Sequence, residues 1–297
     1  MADIINRLNI GHIVNVKLTD SATVNGQNFI DAYNYAKTLT PNGQALSSTN
    51  RVAIILQPGN YTLTAELAIN TQYVDIIGLG AQKLRRGAIP AVIIGGNTLN
   101  VTANDVRVQG ISVGTQAFKT SANLPLQIFE DCVGGAATFI ASILSGTFIN
   151  CIGGNNSFGA SSQSIPNPTA NGTFINCVAD NGFGGDTTGL FVNCEAKNVA
   201  GGTGSFSTGK TADGTYINCE SAAPRSFGST SLGSIPGIAS GTFTNCTAGN
   251  NSFGGGSGST ATGKFYQCRL TFGTFQTVID GGLMRECIDG NNNIVDQ

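Results

Sequence analysis

Glu195 and Glu220 each follow a cysteine by one residue, Cys194 and Cys219, inside two successive copies of the same short motif. If those copies lie on neighbouring strands, the two carboxylates project from one face about 5 Å apart. That separation is the equipment of a retaining glycosidase, in which one carboxylate attacks the sugar and the other passes the proton. The plainer reading is a solvated charged patch. Like charges stacked on one face repel, and Lys197 is the nearest group to offset them, with Asp180 in its column one copy earlier. The plainer reading is preferred. No catalytic residue is assigned, and Glu195 and Glu220 stand as the candidates.

The other chemistry-bearing residues are eight cysteines, Cys132 through Cys287, separated by 19, 26, 17, 25, 27, 22 and 19 residues. Eight thiols suggest four disulfides in a small secreted protein, but this spacing argues against it. Stacked strands place successive side chains about 4.8 Å apart and parallel, whereas a disulfide needs β-carbons about 3.8 Å apart and converging. Zinc is disfavoured too, since there is no C-x-x-C pair and His12 is the single histidine. Buried free thiols acting as small hydrophobes fit best, with no metal and no cofactor. Without a basic neighbour they are poor nucleophiles.

Each cysteine closes a six-residue motif. Gly146-Thr-Phe148-Ile-Asn150-Cys151 is typical, with close copies ending at Cys177, Cys194, Cys219, Cys246 and Cys268 and looser ones at Cys132 and Cys287. A period averaging about 22 residues with variable loops is the mark of a solenoid. Within a copy, Thr147 and Ile149 alternate with Phe148 as on a strand. Asn150 must then bend the chain, because Phe148 and Cys151, three apart, would otherwise face opposite ways. Asparagine tolerates the left-handed conformation that does this. Stacked copies would align Asn150, Asn176, Asn193, Asn218 and Asn245 in an amide column, continued imperfectly by Gln267. Two phenylalanine columns follow, one through Phe148 and one through Phe158, the second six to eight residues past most of the cysteines, with Phe206 delayed by a longer loop. The expected fold is all-β, a single-stranded right-handed parallel β-helix of about eleven coils, on the order of 50 Å long.

The first coils read differently. Ile54-Ile-Leu-Gln-Pro58-Gly59-Asn-Tyr61 and Asp75-Ile-Ile-Gly78-Leu-Gly80 give a strand, a Pro-Gly-x-Tyr turn and an Ile-Ile-Gly-x-Gly step. This resembles the entry coils of the pectin-lyase-like β-helix superfamily, over roughly residues 50 to 290. Before it, Phe29, Ala32, Tyr33, Ala36 and Leu39 stand at helical spacing, which predicts a short helix over Asn28 to Leu39 covering the open first coil. Residues 1–27 read as short strands. The chain thus divides into 1–48, N-terminal strands and capping helix, and 49–297, the β-helix. That arrangement resembles bacteriophage tail spikes, fibres and related virion proteins. The superfamily mixes lyases, hydrolases, adhesins and viral spikes, so the likeness implies fold more than activity. Its calcium-aspartate, aspartate-histidine and aspartate-arginine catalytic motifs cannot be placed on these residues.

Composition narrows the partners. Charged residues are 11% of 297, and the net charge is −2. Phosphate binding needs clustered Lys and Arg; the one cluster, Lys83, Arg85 and Arg86, reads as a solvated loop, so no nucleic acid is expected. No apolar run is long enough for membrane insertion. The first residues show no signal peptide, which implies synthesis in a host cytoplasm. The outward residues beside the phenylalanine column form a chargeless strip, with Ile149, Ile175, Val192 and Ile217 as candidate interface residues, since soluble monomers seldom expose such strips. The alternatives are a face covered by the chain's own long loops, 156–171 or 224–240, and an ice- or glycan-binding threonine array. The closing segment after Cys287 is too short for a capping helix, so the last coil's strand edges are expected to be bare. Together these features imply an oligomeric structural virion protein, a tail fibre, spike or surface decoration. A homotrimer is favoured by the viral likeness, with other virion proteins as partners and host surface glycan as a candidate ligand. The alternatives are a polysaccharide depolymerase using the outward carboxylates and, less favoured for want of an export signal, a bacterial surface adhesin.

Overall fold

Each letter of the repeated motif has a place in the structure. Phe148 and Cys151 are both fully buried because Asn150 between them is left-handed, at φ 53°. Asn176, Asn193, Asn218, Asn245 and Gln267 repeat that corner at φ 50–53°, as do Asp131 and Glu286 in the looser copies. The leading glycine is there for want of room: a Cβ on Gly172 would stand 2.2 Å from the carbonyl oxygen of Gly146 in the coil before. The computed structural model describes residues 9–80, 90–114, 118–120, 123–155, 157–159, 168–180, 182–197, 205–206, 211–221, 224, 226–228, 237–250, 252–254, 259–271, 273–275 and 282–297.

Three walls of strands result. The first is a sheet of twelve parallel strands, starting with β1 (Ile10–Asn15) and Arg51–Leu56 and ending with Leu283–Arg285. Without β1 it counts eleven, one per coil. The second wall, also of twelve, runs from Gly59–Leu63 to Ile294–Val295. The third consists of a three-stranded sheet in the early coils and a six-stranded one from Ile143–Leu144 to Thr260–Ala261. Register is kept residue on residue, with Thr147, Phe148 and Ile149 lying on Thr173, Phe174 and Ile175. The architecture is a parallel β-helix with a helix at its N-terminal end.

Two aromatic ladders fill the prism. Phe129, Phe148, Phe174, Phe191, Tyr216, Phe243 and Phe265 stack ring on ring at 4.7–5.3 Å. Phe139, Phe158, Phe183, Phe206, Phe227 and Phe253 form the second ladder, edge-on to the first. It begins one ring earlier than the repeat indicates, at Phe118, and ends at the half-buried Phe275. Such pairs are worth about 0.5–1.5 kcal/mol each beyond their buried area. The rings leave space mainly for small residues opposite. On the inner face of the third wall these are Ala170, Ala212, Ala239 and Ala261.

The column begins with the larger Leu144, and two further exceptions meet each other. Tyr216 replaces phenylalanine in the first ladder and Thr187 replaces alanine in the small column; their hydroxyls are hydrogen-bonded and both are fully buried. Tyr216 also donates to the Thr187 carbonyl at 3.1 Å.

At the N-terminal end, α1 (Ala22–Ala36) starts and stops earlier than the expected Asn28 to Leu39. Ser21 caps it by accepting the Val24 N–H, and Phe29, Tyr33 and Ala36 face the core. Its first turns carry no apolar stripe because they are shaped for contact. Gly26 lies against the strand Gly59–Leu63 so closely that a Cβ would be 2.0 Å from the Thr62 carbonyl oxygen, and Asn25 donates to the Asn60 carbonyl at 3.0 Å. β1 confirms one strand within residues 1–27, while 22–27 are helical. Val14 of β1 and Phe29 of α1 belong to the same core as the coils.

At the other end, the expectation of bare strand edges is corrected. The tail folds back: Ile294–Val295 pairs antiparallel with Cys287–Ile288, and Met284 and Gln297 exchange backbone hydrogen bonds of 3.0 and 3.1 Å. A two-residue strand reversing on a tight turn at Asp289 covers the edge where no helix would fit. Asp289 organises that turn by accepting the N–H groups of Asn291 and Asn293.

The Tyr216–Thr187 pair gives a direct test of ladder complementarity. Tyr216→Phe and Thr187→Ala should each destabilise the rod by about 1–2 kcal/mol. The double variant, which restores the repeat's own pair, should cost less than the two added together. Denaturant unfolding of the four proteins checks this; strict additivity refutes the coupling.

Candidate functional site

Glu195 and Glu220 lie in register on adjacent strands of the second wall, projecting from its outer face. Glu220 is exposed, and Glu195 is half-buried and engaged in a further contact. Asp180 and Lys197 follow one residue beyond the paired strands Val178–Ala179 and Glu195–Ala196, so they share a column. Lys197 and Glu220 are both exposed. The register therefore puts the two carboxylates on one outer face at the coil spacing inferred from sequence.

The eight cysteines are all free and buried in one inward column. Each thiol points at backbone carbonyls: Cys177 Sγ, for example, lies 3.3 Å from the Phe148 oxygen of the coil before and 3.5 Å from the Ile175 oxygen. Burial pushes the thiols of Cys132, Cys151, Cys177, Cys219, Cys246 and Cys268 well above the ordinary range. They are packing groups held protonated. Among the described residues, no group of three or more His, Cys, Asp or Glu is placed to hold a metal.

Outside the corner, the asparagines form the expected ladder. Asn176, Asn193, Asn218 and Asn245 each donate Nδ2 to the preceding Oδ1 at 2.9–3.1 Å. Asn150 ends the ladder on the Asp131 carboxylate at 3.0 Å. Gln267 turns the other way and donates to Glu286 at 2.8 Å. Beside the ladder, Ile149, Ile175, Val192 and Ile217 share one register column on the outer face of the first wall, with Thr147, Thr173, Leu190 and Thr215 beside them. The structure thus brings the four interface candidates together. They are half-buried by their own stacking, and Leu190, 36% exposed, stands out most.

One cluster escaped the sequence reading. Asp75 is fully buried on the first wall and receives Arg51 Nε at 2.8 Å, Arg51 Nη2 at 2.6 Å and the Arg107 N–H at 2.8 Å. Arg51 Nη1 reaches Asp105 at 2.7 Å, and Arg107 pairs with Glu130. Burial works against the Arg51 charge, and Asp75 with Asp105 more than offsets it, so its pKa is raised. A cleft of about 340 Å³ opens here, lined also by Ser48, Leu126 and Ile128. The residues come from four coils with no common spacing, so no motif announces them. With Asp75 saturated and Arg51 bound on both sides, the cluster is better built to pin the first coils together than to turn over a substrate. Lys83, Arg85 and Arg86 lie outside the described residues.

No family model, curated protein or solved structure matches this chain. Among the described residues no helix is long and apolar enough to cross a membrane.

The thiol column makes stability depend on alkaline pH. A thiol whose pKa is raised by folding contributes stability that is fully present below its unfolded pKa, about 8.5, and is lost as pH rises toward the folded value. Above that point each further rise in pH favours the ionised, unfolded thiols and takes stability from the rod. Under reducing conditions the rod should unfold cooperatively between about pH 9 and 11, as followed by circular dichroism. At neutral pH a thiol reagent should titrate none of the cysteines until denaturant is added, and then all eight. Persistence of the fold well above that window would contradict the buried column.

Proposed function

We propose that this chain is a structural virion protein of a bacteriophage, a tail fibre, spike or surface decoration, whose work is to be a stiff rod. The observation that carries this reading is the continuous interior, in which aromatic, thiol and carboxamide ladders run coil after coil with hardly a break. Such an interior resists local opening and proteolysis. The resemblance of the first coils to pectin-lyase-like proteins, the helical cap and the charge-poor surface point the same way. The outer strip of the first wall serves contact with copies of the chain or with other virion proteins, and host glycan is a candidate ligand. Antibody raised against the chain should decorate intact phage particles in electron micrographs, and the purified rod should survive protease at concentrations that digest ordinary domains. Particles that bind no antibody, from a phage whose genome encodes the chain, overturn the assignment.

A second reading, a polysaccharide depolymerase, is favoured by one observation, the registered pair Glu195 and Glu220. It requires release of reducing ends from capsular polysaccharide, abolished by Glu220→Gln with the fold intact. A parent protein that releases none leaves the scaffold reading alone.

A further inference from the structure

We propose that the chargeless strip on the first wall is where two copies of this chain meet, side by side and running in opposite directions. The inference rests on the scaffold reading only in taking the strip as a contact surface. From Thr147 and Ile149 to Thr242 and Thr244, both outward columns carry no charge. Beyond them the two ends differ in sign. Toward the N-terminus lies the ionic cluster, in which Arg51 and Arg107 face the three carboxylates of Asp75, Asp105 and Glu130. Toward the C-terminus Lys264 is exposed next in the first column, and Arg285, also exposed, follows Tyr266 in the second.

That polarity selects the arrangement. Rods running the same way, related by a twofold along their axes, would hold Lys264 and Arg285 at the levels of their own counterparts, facing Tyr266 and Leu283. A threefold ring that laid the strip on a neighbour's second wall at the same level would press Val192 and Ile217 against Glu195 and Glu220. Removing those carboxylates from water costs several kcal/mol. A twofold axis through Leu190, parallel to the strands, avoids both. By symmetry it sets Leu190 on Leu190, Thr173 on Thr215 and Thr147 on Thr242. It also carries Lys264 to the level of Ile128 and Glu130, and Arg285 to the level of Gln109, where Arg107 is already paired with Glu130. The shared coil pitch of about 4.8 Å keeps the contacts in step along the whole face.

The contact is modest. Eight strands of the first wall, from Ile128–Glu130 to Leu283–Arg285, span roughly 34 Å. With a width of roughly 15 Å this gives on the order of 500 Å² per copy, below the ~800 Å² of a standard interface. The pair should therefore be a concentration-dependent dimer rather than a permanent one.

Sedimentation equilibrium should show the mass rising from one chain toward two between micromolar and several hundred micromolar protein. Lys264→Glu should weaken association several-fold. Under mild oxidation Leu190→Cys should form a linked dimer, and Thr147→Cys mixed with Thr242→Cys should link to each other; the buried native thiols do not compete. Linking of Thr147→Cys to Ile149→Cys instead would indicate parallel rods and overturn the proposal. A constant trimer mass overturns it while leaving the scaffold reading standing. A strict monomer throughout overturns it and removes self-assembly from that reading as well.

Discussion

A strand of three residues buries too little apolar surface to offset the entropy of fixing its backbone, so each coil of this rod is held by the coils above and below it. Everything else follows from how a coil is made to match its neighbour. The corner does most of this. A single left-handed residue between Phe148 and Cys151 turns the chain within one peptide unit and leaves both side chains facing inward. Because the corner uses one residue, it can recur unchanged in every coil while the loops vary in length. The corner side chain also gains a use, since stacked carboxamides satisfy one another along the axis.

Inside, the same demand for a match sorts residues by size. Two ladders of rings occupy the prism, and the inward positions of the facing walls are mostly alanine, glycine and serine, with Leu144, Thr187 and Leu270 as the larger ones. A Cβ on Gly153 would lie 2.7 Å from the Phe158 ring. Tyr216 and Thr187 show that the rule concerns pairs of residues: when one wall gained a hydroxyl, the opposite wall supplied its partner. Residues before the second ladder behave similarly. Thr138 and Ser157 are fully buried hydroxyls that bond to each other at 3.0 Å and to the Gly135 carbonyl. Polar groups enter this core only where neighbouring coils satisfy them.

The ends of the stack are where the repeat stops and the chemistry changes. Aliphatic strands, α1 and the Arg51–Asp75–Asp105 cluster close the N-terminal end, and a reversed two-residue strand closes the other. An ordinary coil needs no charge, because its neighbours satisfy it. In the first coils charged groups add a second tie to the backbone pairing, Arg51 to Asp75 and Asp105 and Arg107 to Glu130. Along the first wall, charge therefore lies toward the ends and the middle is left smooth.

The sequence by itself determined the corner, the two inward columns and the solenoid, because each depends on local preference repeated at a fixed period: asparagine for the left-handed turn, alternation for the strand, glycine where coils touch. It also placed Glu195 beside Glu220, since register follows from counting within the motif. It missed the early start of α1, whose first turn is shaped by Gly26 and Asn25 against a distant strand rather than by an apolar stripe. It missed the folded-back tail and the ionic cluster for the same reason. Arg51, Asp75, Asp105 and Arg107 meet only because three coils bring them together, and no spacing along the chain records that meeting. Periodic contacts can be read from a sequence because neighbouring coils repeat the same letters; contacts made once, between unlike segments, exist only after the chain has been wound.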